Sequence, residues 1–209
     1  MLTPEDMLQA YRRGIFPMAE ARHNPALHWV EPRLRGIFPL DGFHMSRSLR
    51  KVVLAGGYEV SIDKAFGAVV RACAGRAETW INAPLEHLYQ RLHARGHAHS
   101  IEVYADGRLV GGVFGLTIGA AFFGESMFSR QSNASKIALV YLVDHLKAAG
   151  FLLFDTQFLT PHLASLGGVE IPQAAYLGRL EGALPYQASF GAAPLPCAQE
   201  LVQRMTQMS

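Results

Sequence analysis

The sequence predicts an α+β chain, and three observations predict it. Two capped segments with helical spacing of apolar residues come first in the regular part of the chain. Three strand-length segments follow, two of them joined by a tight-turn signal. A long capped helix, a short apolar strand and a further helix complete the order. Helices and strands therefore come in blocks, without the strict alternation of a parallel α/β fold.

Taken in order, Thr3-Pro4-Glu5-Asp6 reads as a helix start, with a hydroxyl N-cap, proline at the first position and acids in the first turn. The helix runs through Met7, Leu8 and Tyr11 and stops near Gly14. Residues 15–50 read as irregular and carry an internal echo: Arg13-Gly14-Ile15-Phe16-Pro17 recurs as Arg35-Gly36-Ile37-Phe38-Pro39. Two copies make no repeat architecture. They read as two similar turns that each send an aromatic into the core. Residues 58–62 alternate as a strand, and Asp63 is expected to cap a helix that ends before Gly75. A second helix follows Asn82, carries Leu85, Leu88, Tyr89 and Leu92 on one face, and ends at Gly96.

Strand candidates lie at residues 99–104, 108–116 and 120–124, the first two joined by the hairpin signal Ala105-Asp106-Gly107. Asn133 is expected to cap a long helix to Ala149, closed by Gly150. A short apolar strand over 151–154 ends at Asp155. Thr160-Pro161 opens a short helix and residues 172–180 a last one, while the Pro- and Ala-rich tail beyond Leu184 reads as wrapping the surface. This order resembles the acyltransferase fold of the N-acetyltransferase superfamily, a mixed sheet flanked by helices. A small N-terminal domain, residues 1–55, would precede an acyltransferase-like catalytic domain, residues 56–209.

Composition bounds the rest. With 209 residues, half of them hydrophobic, the chain can bury a core without disulfide or metal. Cys73 and Cys197 form no CxxC pair, which fits a reducing compartment. The first residues lack a basic segment followed by an apolar one, and no run of about 18 uncharged apolar residues occurs, so neither a secretory leader nor a membrane span is expected. A cytoplasmic monomer is the expectation. Net charge is only +2, too mild to name a nucleic-acid binder, although basic residues crowd the first 51 positions.

Several residues could carry chemistry. Glu125 stands among apolar and small residues in Gly124-Glu125-Ser126-Met127-Phe128-Ser129. Asp155 and Gln157, two apart at a strand end, would lie on one face, where a carboxylate could orient an amide beside a substrate amine. Glutamine is a poor base, so positioning would outweigh proton abstraction. The competing reading has Asp155 capping the following loop and Gln157 as a solvated neighbour. His97 and His99 share a strand face but lack further ligands at metal spacing, so they read as strand-edge histidines, and no metal or other cofactor is expected. Ser126 and Ser129 lack a nucleophile elbow. The turn from Ser129 to Lys136 has no glycine to cradle a pyrophosphate, which favours an acyl donor other than acetyl-CoA.

At these residues the sequence resembles the leucyl/phenylalanyl-tRNA–protein transferases. The matching stretches are Tyr11–Pro17, Phe43–Leu49, Thr79-Trp80-Ile81, Gly96–Val103, Leu109–Val113, Gly124–Ser129, Asn133–Lys136, Asp155-Thr156-Gln157 and His162–Gly167. The resemblance implies transfer of Leu or Phe, less readily Met, from aminoacyl-tRNA to a protein beginning with Arg or Lys, which marks that protein for degradation. It implies that Glu125 holds the α-amino group of the donor, and that Asp155 and Gln157 assist deprotonation of the acceptor amine. Tyr11, Trp80 and Tyr89 would line the site for the 3′-terminal adenosine, while Met127 and Leu142 line the side-chain pocket and Ser129 belongs to the same aminoacyl-binding block. Arg47, Arg50 and Lys51 are expected to meet acceptor-stem phosphates, or else to form a solvated face. Met18 stands where many relatives have Trp, with Trp29 as a substitute wall, and the front domain is expected to be reduced. An acetyl-CoA-dependent N-acetyltransferase and a non-catalytic tRNA-binding adaptor are the competing functions.

Overall fold

The computed structural model of the chain describes residues 2–76 and 79–206. Helix α1 (Pro4–Arg12) starts as its cap predicts: Thr3 accepts from the Asp6 N–H, and the Asp6 carboxylate takes the Thr3 N–H in return. Strands β1 (Phe16–Ala19) and β2 (Leu27–Val30) form a separate antiparallel pair. Then come β3 (Leu34–Ile37), α2 (Arg47–Ala55), β4 (Glu59–Ile62), α3 (Phe66–Ala74) and α4 (Ala83–Ala94). The meander β5 (Ala98–Ala105), β6 (Arg108–Ile118) and β7 (Ala121–Ser129) leads into α5 (Ala134–Ala148) and β8 (Leu153–Gln157). Last are α6 (Pro161–Ser165), β9 (Val169–Pro172), α7 (Gln173–Ala183) and α8 (Ala198–Thr206).

The main sheet has seven strands in the order β4-β5-β6-β7-β8-β3-β9. Every neighbouring pair is antiparallel except β7 and β8, which run parallel. Two apolar layers cover its faces. One gathers α1, α3, α4 and α7 around Met7, Tyr11, Val69, Leu85, Tyr89, Phe114 and Phe123. The other gathers α2, α5 and α8 around Leu49, Val113, Phe122, Leu139, Leu142 and Leu201. This is the mixed, helix-flanked α+β sheet that the order of elements predicts.

Several local expectations need correction. Residues 15–50 are not irregular, since they supply β1, β2, β3 and the start of α2. The two halves of the echo differ: Gly14 turns the chain at φ +78° before β1, whereas Arg35-Gly36-Ile37 lies inside the large sheet between β8 and β9. Both aromatics, Phe16 and Phe38, are buried as expected. Asp63 does not cap α3. It accepts the Ser100 N–H and contacts His99, while the buried Glu102 carboxylate receives the Lys64 and Ala65 N–H groups. Asn133 precedes α5 at φ +67° without a side-chain cap, and the Ser129 hydroxyl accepts the Ser135 N–H instead. The third meander strand runs on to Ser129, and β8 continues through Asp155 to Gln157.

The tail also folds further than its composition suggests. Leu201, Val202 and Met205 of α8 are buried against α2 and α5. Leu201→Ala is expected to cost about 2–5 kcal/mol, as truncation of a fully buried leucine does. Urea unfolding measures it, and an unmoved midpoint would make α8 a dispensable appendage.

Candidate active site

The site forms where β7 and β8 part. Their parallel ladder pairs Ala121, Phe122 and Phe123 with Leu153, Phe154 and Asp155 and goes no further. Beyond it a cavity of about 400 Å³ opens, walled by residues 124–127 of β7, Phe154 and Thr156–Phe158, with Trp80, Val113, Leu139 and Leu163 around it.

A bulge aims the central side chain. On β7, Ser126 pairs with Phe114 and Gly124 with Gly115, so Glu125 is one residue more than the partner strand supplies. The extra residue resets the alternation of faces. Phe123 and Phe128 both pack into the α1/α3/α4/α7 layer, whereas Phe122 and Met127 pack toward α5. The strands come close here: a Cβ on Gly115 would lie 2.3 Å from the Phe123 carbonyl oxygen.

Glu125 turns into the first layer and is 7 % exposed. The Tyr11 hydroxyl donates to its Oε1 at 2.7 Å, the Tyr89 hydroxyl to its Oε2 at 2.7 Å, and Gln157 Nε2 to Oε1 at 3.1 Å. Burial raises its pKa to about 7, against the pull of those three hydrogen bonds and with a smaller upward push from Asp155. Burial and the nearby carboxylate drive both tyrosines well above their ordinary range, so they act as protonated donors.

Asp155 is fully enclosed. Its Oδ1 accepts from Arg35 Nε at 2.9 Å and from the Gln157 N–H at 2.8 Å. Its Oδ2 accepts from Arg35 Nη2 and the Tyr176 hydroxyl, both at 2.7 Å. Arg35, 1 % exposed, also donates to the Gly14 carbonyl at 2.7 Å. Its guanidinium carbon lies 4.7 Å from the centre of the Phe16 ring and 4.4 Å from that of Tyr176. Gln157 sits at φ +61°, a left-handed conformation uncommon for glutamine, and the Asp155 bond to its N–H helps hold it there. The reading of Asp155 as a loop cap beside a solvated Gln157 is overturned in one respect: both side chains are buried.

The structure thus gathers Glu125, Met127, Gln157 and Trp80 around one cavity, with Asp155, Tyr11 and Tyr89 immediately behind it. Tyr11 and Tyr89 are fully buried and hold the carboxylate, so they form no wall of the cavity. Leu142 is fully buried in the second layer, and Leu139, one turn earlier on the same helix, lines the cavity. Ser129 lies outside the cavity, at the exposed end of β7. Arg47, Arg50 and Lys51 are exposed on α2, which packs on α5 and α8 and lines none of this cavity. Met18 is partly buried in β1 beside the exposed Trp29 of β2, and neither lines the cavity. Arg35 and Tyr176 were not singled out from sequence. The echoed Arg-Gly-Ile-Phe-Pro was the available signal for Arg35, since its second copy marks a strand with a buried cation.

The mixed, helix-flanked sheet parts at a pocket that a carboxylate and an amide face, on a fold of the acyltransferase-like kind. The solved structure of FemX superposes with a TM-score of 0.54 over 80 % of this chain and 66 % of its own at 13 % identity, a likeness of fold alone. Two family models match, leucyl/phenylalanyl-tRNA protein transferase over residues 37–181 and the N-terminal domain of the same family over residues 1–33. The leucyl/phenylalanyl-tRNA–protein transferase of Roseobacter denitrificans is 60 % identical across 100 % of this chain and 99 % of its own. That of Ruegeria pomeroyi is 58 % identical over the same shares. The chain belongs to the leucyl/phenylalanyl-tRNA–protein transferase family, and it is an aminoacyltransferase.

Proposed function

We propose that this enzyme moves Leu or Phe, less readily Met, from aminoacyl-tRNA to proteins that begin with Arg or Lys, marking them for degradation. It acts as a monomer in the cytoplasm. The single observation that carries the reading is the cavity that sets the buried Glu125 carboxylate opposite an apolar wall of Val113, Met127, Leu139 and Phe154. An α-amino acid esterified to a ribose offers that pairing of a cationic amine and an apolar side chain on one carbon.

In this reading Glu125 receives the donor's α-amino group, with its charge placed by Tyr11 and Tyr89. The apolar wall receives the side chain, flexible Met127 adapting to Leu, Phe and Met. Trp80 supplies the aromatic face for the terminal adenine. The acceptor amine attacks the ester carbonyl carbon; the C–N bond forms, the C–O bond to the ribose breaks, and the ribose oxygen leaves with a proton. The ester is already activated, so alignment is the main demand, and alignment alone can supply several orders of magnitude. Asp155 is closed to the amine by Arg35, Tyr176 and the Gln157 N–H. Its part is to fix Gln157, whose amide orients the reacting amine.

The purified protein should transfer labelled Leu or Phe from charged tRNA to a peptide beginning with Arg, and ribonuclease treatment of the donor should abolish transfer. Labelling from acetyl-CoA instead would replace this reading with an N-acetyltransferase. Leu139→Phe is expected to lower transfer of Phe about tenfold or more relative to Leu, because it fills the pocket. Competition between the two charged tRNAs measures it, and an equal loss for both would remove Leu139 from side-chain selection.

A further inference from the structure

Next to the acyl pocket lies a second cavity of about 550 Å³, between the end of α3, the end of β7 and the start of α5. Among the described residues three arginines line it, Arg71, Arg76 and Arg130, and no carboxylate does. Arg76, Met127 and His162 belong to the walls of both cavities, so the two adjoin. Two of the guanidiniums are braced by neutral groups. Arg130 donates to the Leu109 carbonyl at 3.2 Å and lies over the Phe128 ring at 5.4 Å, and Arg76 donates to the Met127 carbonyl. Arg71 reaches Glu86 only at 4.0 Å. Three positive charges around one hollow, in a chain whose net charge is +2, make a site for a polyanion.

We propose that this cavity binds the phosphodiesters of the single-stranded 3′ end of the donor RNA, fixing where the terminal aminoacyl ester enters the acyl pocket. The proposal rests on the function assigned above, because only an aminoacyl ester carried on RNA brings phosphodiesters to that mouth. Arginine suits the task through its forked donors, which match phosphate oxygens whatever the base. Arg47, Arg50 and Lys51 line neither cavity, which leaves them for a more distant part of the same RNA.

The test compares two donors on the full chain: aminoacyl-tRNA, and the aminoacyl ester of adenosine, which has no phosphodiester. The double variant Arg71→Ala/Arg130→Ala should lower the ratio of kcat/KM on the first donor to that on the second about a hundredfold, mainly through KM. Its kcat/KM on charged tRNA should also fall less steeply with salt, the logarithmic slope changing by about 1.4 for two lost contacts on a single strand. Both arginines are exposed, so the fold is expected to survive. An equal loss on both donors would overturn the proposal and assign the arginines to the acyl pocket. An unchanged ratio and slope would overturn it too, since the RNA would then bypass the cavity. Failure of the unaltered enzyme with both donors would instead count against the assigned function.

Discussion

Glu125→Gln is expected to lower kcat/KM for aminoacyl-tRNA about a hundredfold or more while making the protein more stable at pH 8. The loss follows from removing the charge that, in the proposed reading, faces the donor's amine, since truncating one side of a buried charge pair costs about 2–5 kcal/mol. The gain follows from the same burial. A carboxyl group whose pKa is raised to about 7 binds a proton in the folded chain under conditions where the unfolded chain has released it. Stability therefore falls as pH rises between the ordinary carboxylate range and about 7, and above that the folded chain carries the full penalty of a buried anion. Glutamine carries none. The stabilisation, on the order of 1–3 kcal/mol, should be present at pH 8 and nearly gone at pH 5. Thermal melts at the two pH values test it; equal shifts at both would mean that Glu125 is not the titrating group. Activity of the unaltered enzyme should rise through pH of about 7, and Glu125→Gln should lose that limb of the profile.

Arg35→Met is expected to destabilise the protein by about 3–5 kcal/mol, because it leaves the Asp155 carboxylate in the core with no counter-charge. That is a large share of the 5–15 kcal/mol typical of a folded domain. The double change Arg35→Met/Asp155→Asn should recover much of the loss, since it removes the stranded charge as well as its partner. Urea midpoints of the two variants measure this, and equal midpoints would mean that the ion pair is not what holds β3 against β8. The contrast between the two carboxylates is instructive. Asp155 is paired with a cation within the protein, whereas Glu125 is held by neutral donors, which in the proposed reading leaves its charge for a ligand.

What could be read in the sequence divides by range. Thr3, Asn82 and Thr160 cap their helices through bonds to N–H groups three residues on, and the Asp106-Gly107 turn closes its hairpin at φ +49° and +69°. Those signals are local, and they placed their elements well. Strand β3 has no such signal: it is four residues long and exists because β8 and β9 accept it on either side. Arg35 finds Asp155 120 residues away, a partner that spacing cannot announce. The helical spacing of Leu201, Val202 and Met205 is legible, but the proline and alanine residues before it make the tail read as a surface wrap. Glu125, Met127 and Gln157 stand out in the sequence and meet at the cavity, while Leu142 lies one turn from Leu139, which lines it. The bulge was not legible, because simple alternation along β7 puts Glu125 and Met127 on the same face.

That one surplus residue has a consequence for how such an enzyme can change. Without it, Glu125 and Met127 would share a face, and any repacking near one would disturb the other. With it, the carboxylate is fastened in the layer of α1 and α4, and the apolar gauge is fastened in the layer of α5. In the proposed reading the two tasks then belong to different cores on opposite sides of one sheet. Substitutions along α5 can then retune which side chains are welcomed while the grip on the amine, common to every amino acid, stays as it was.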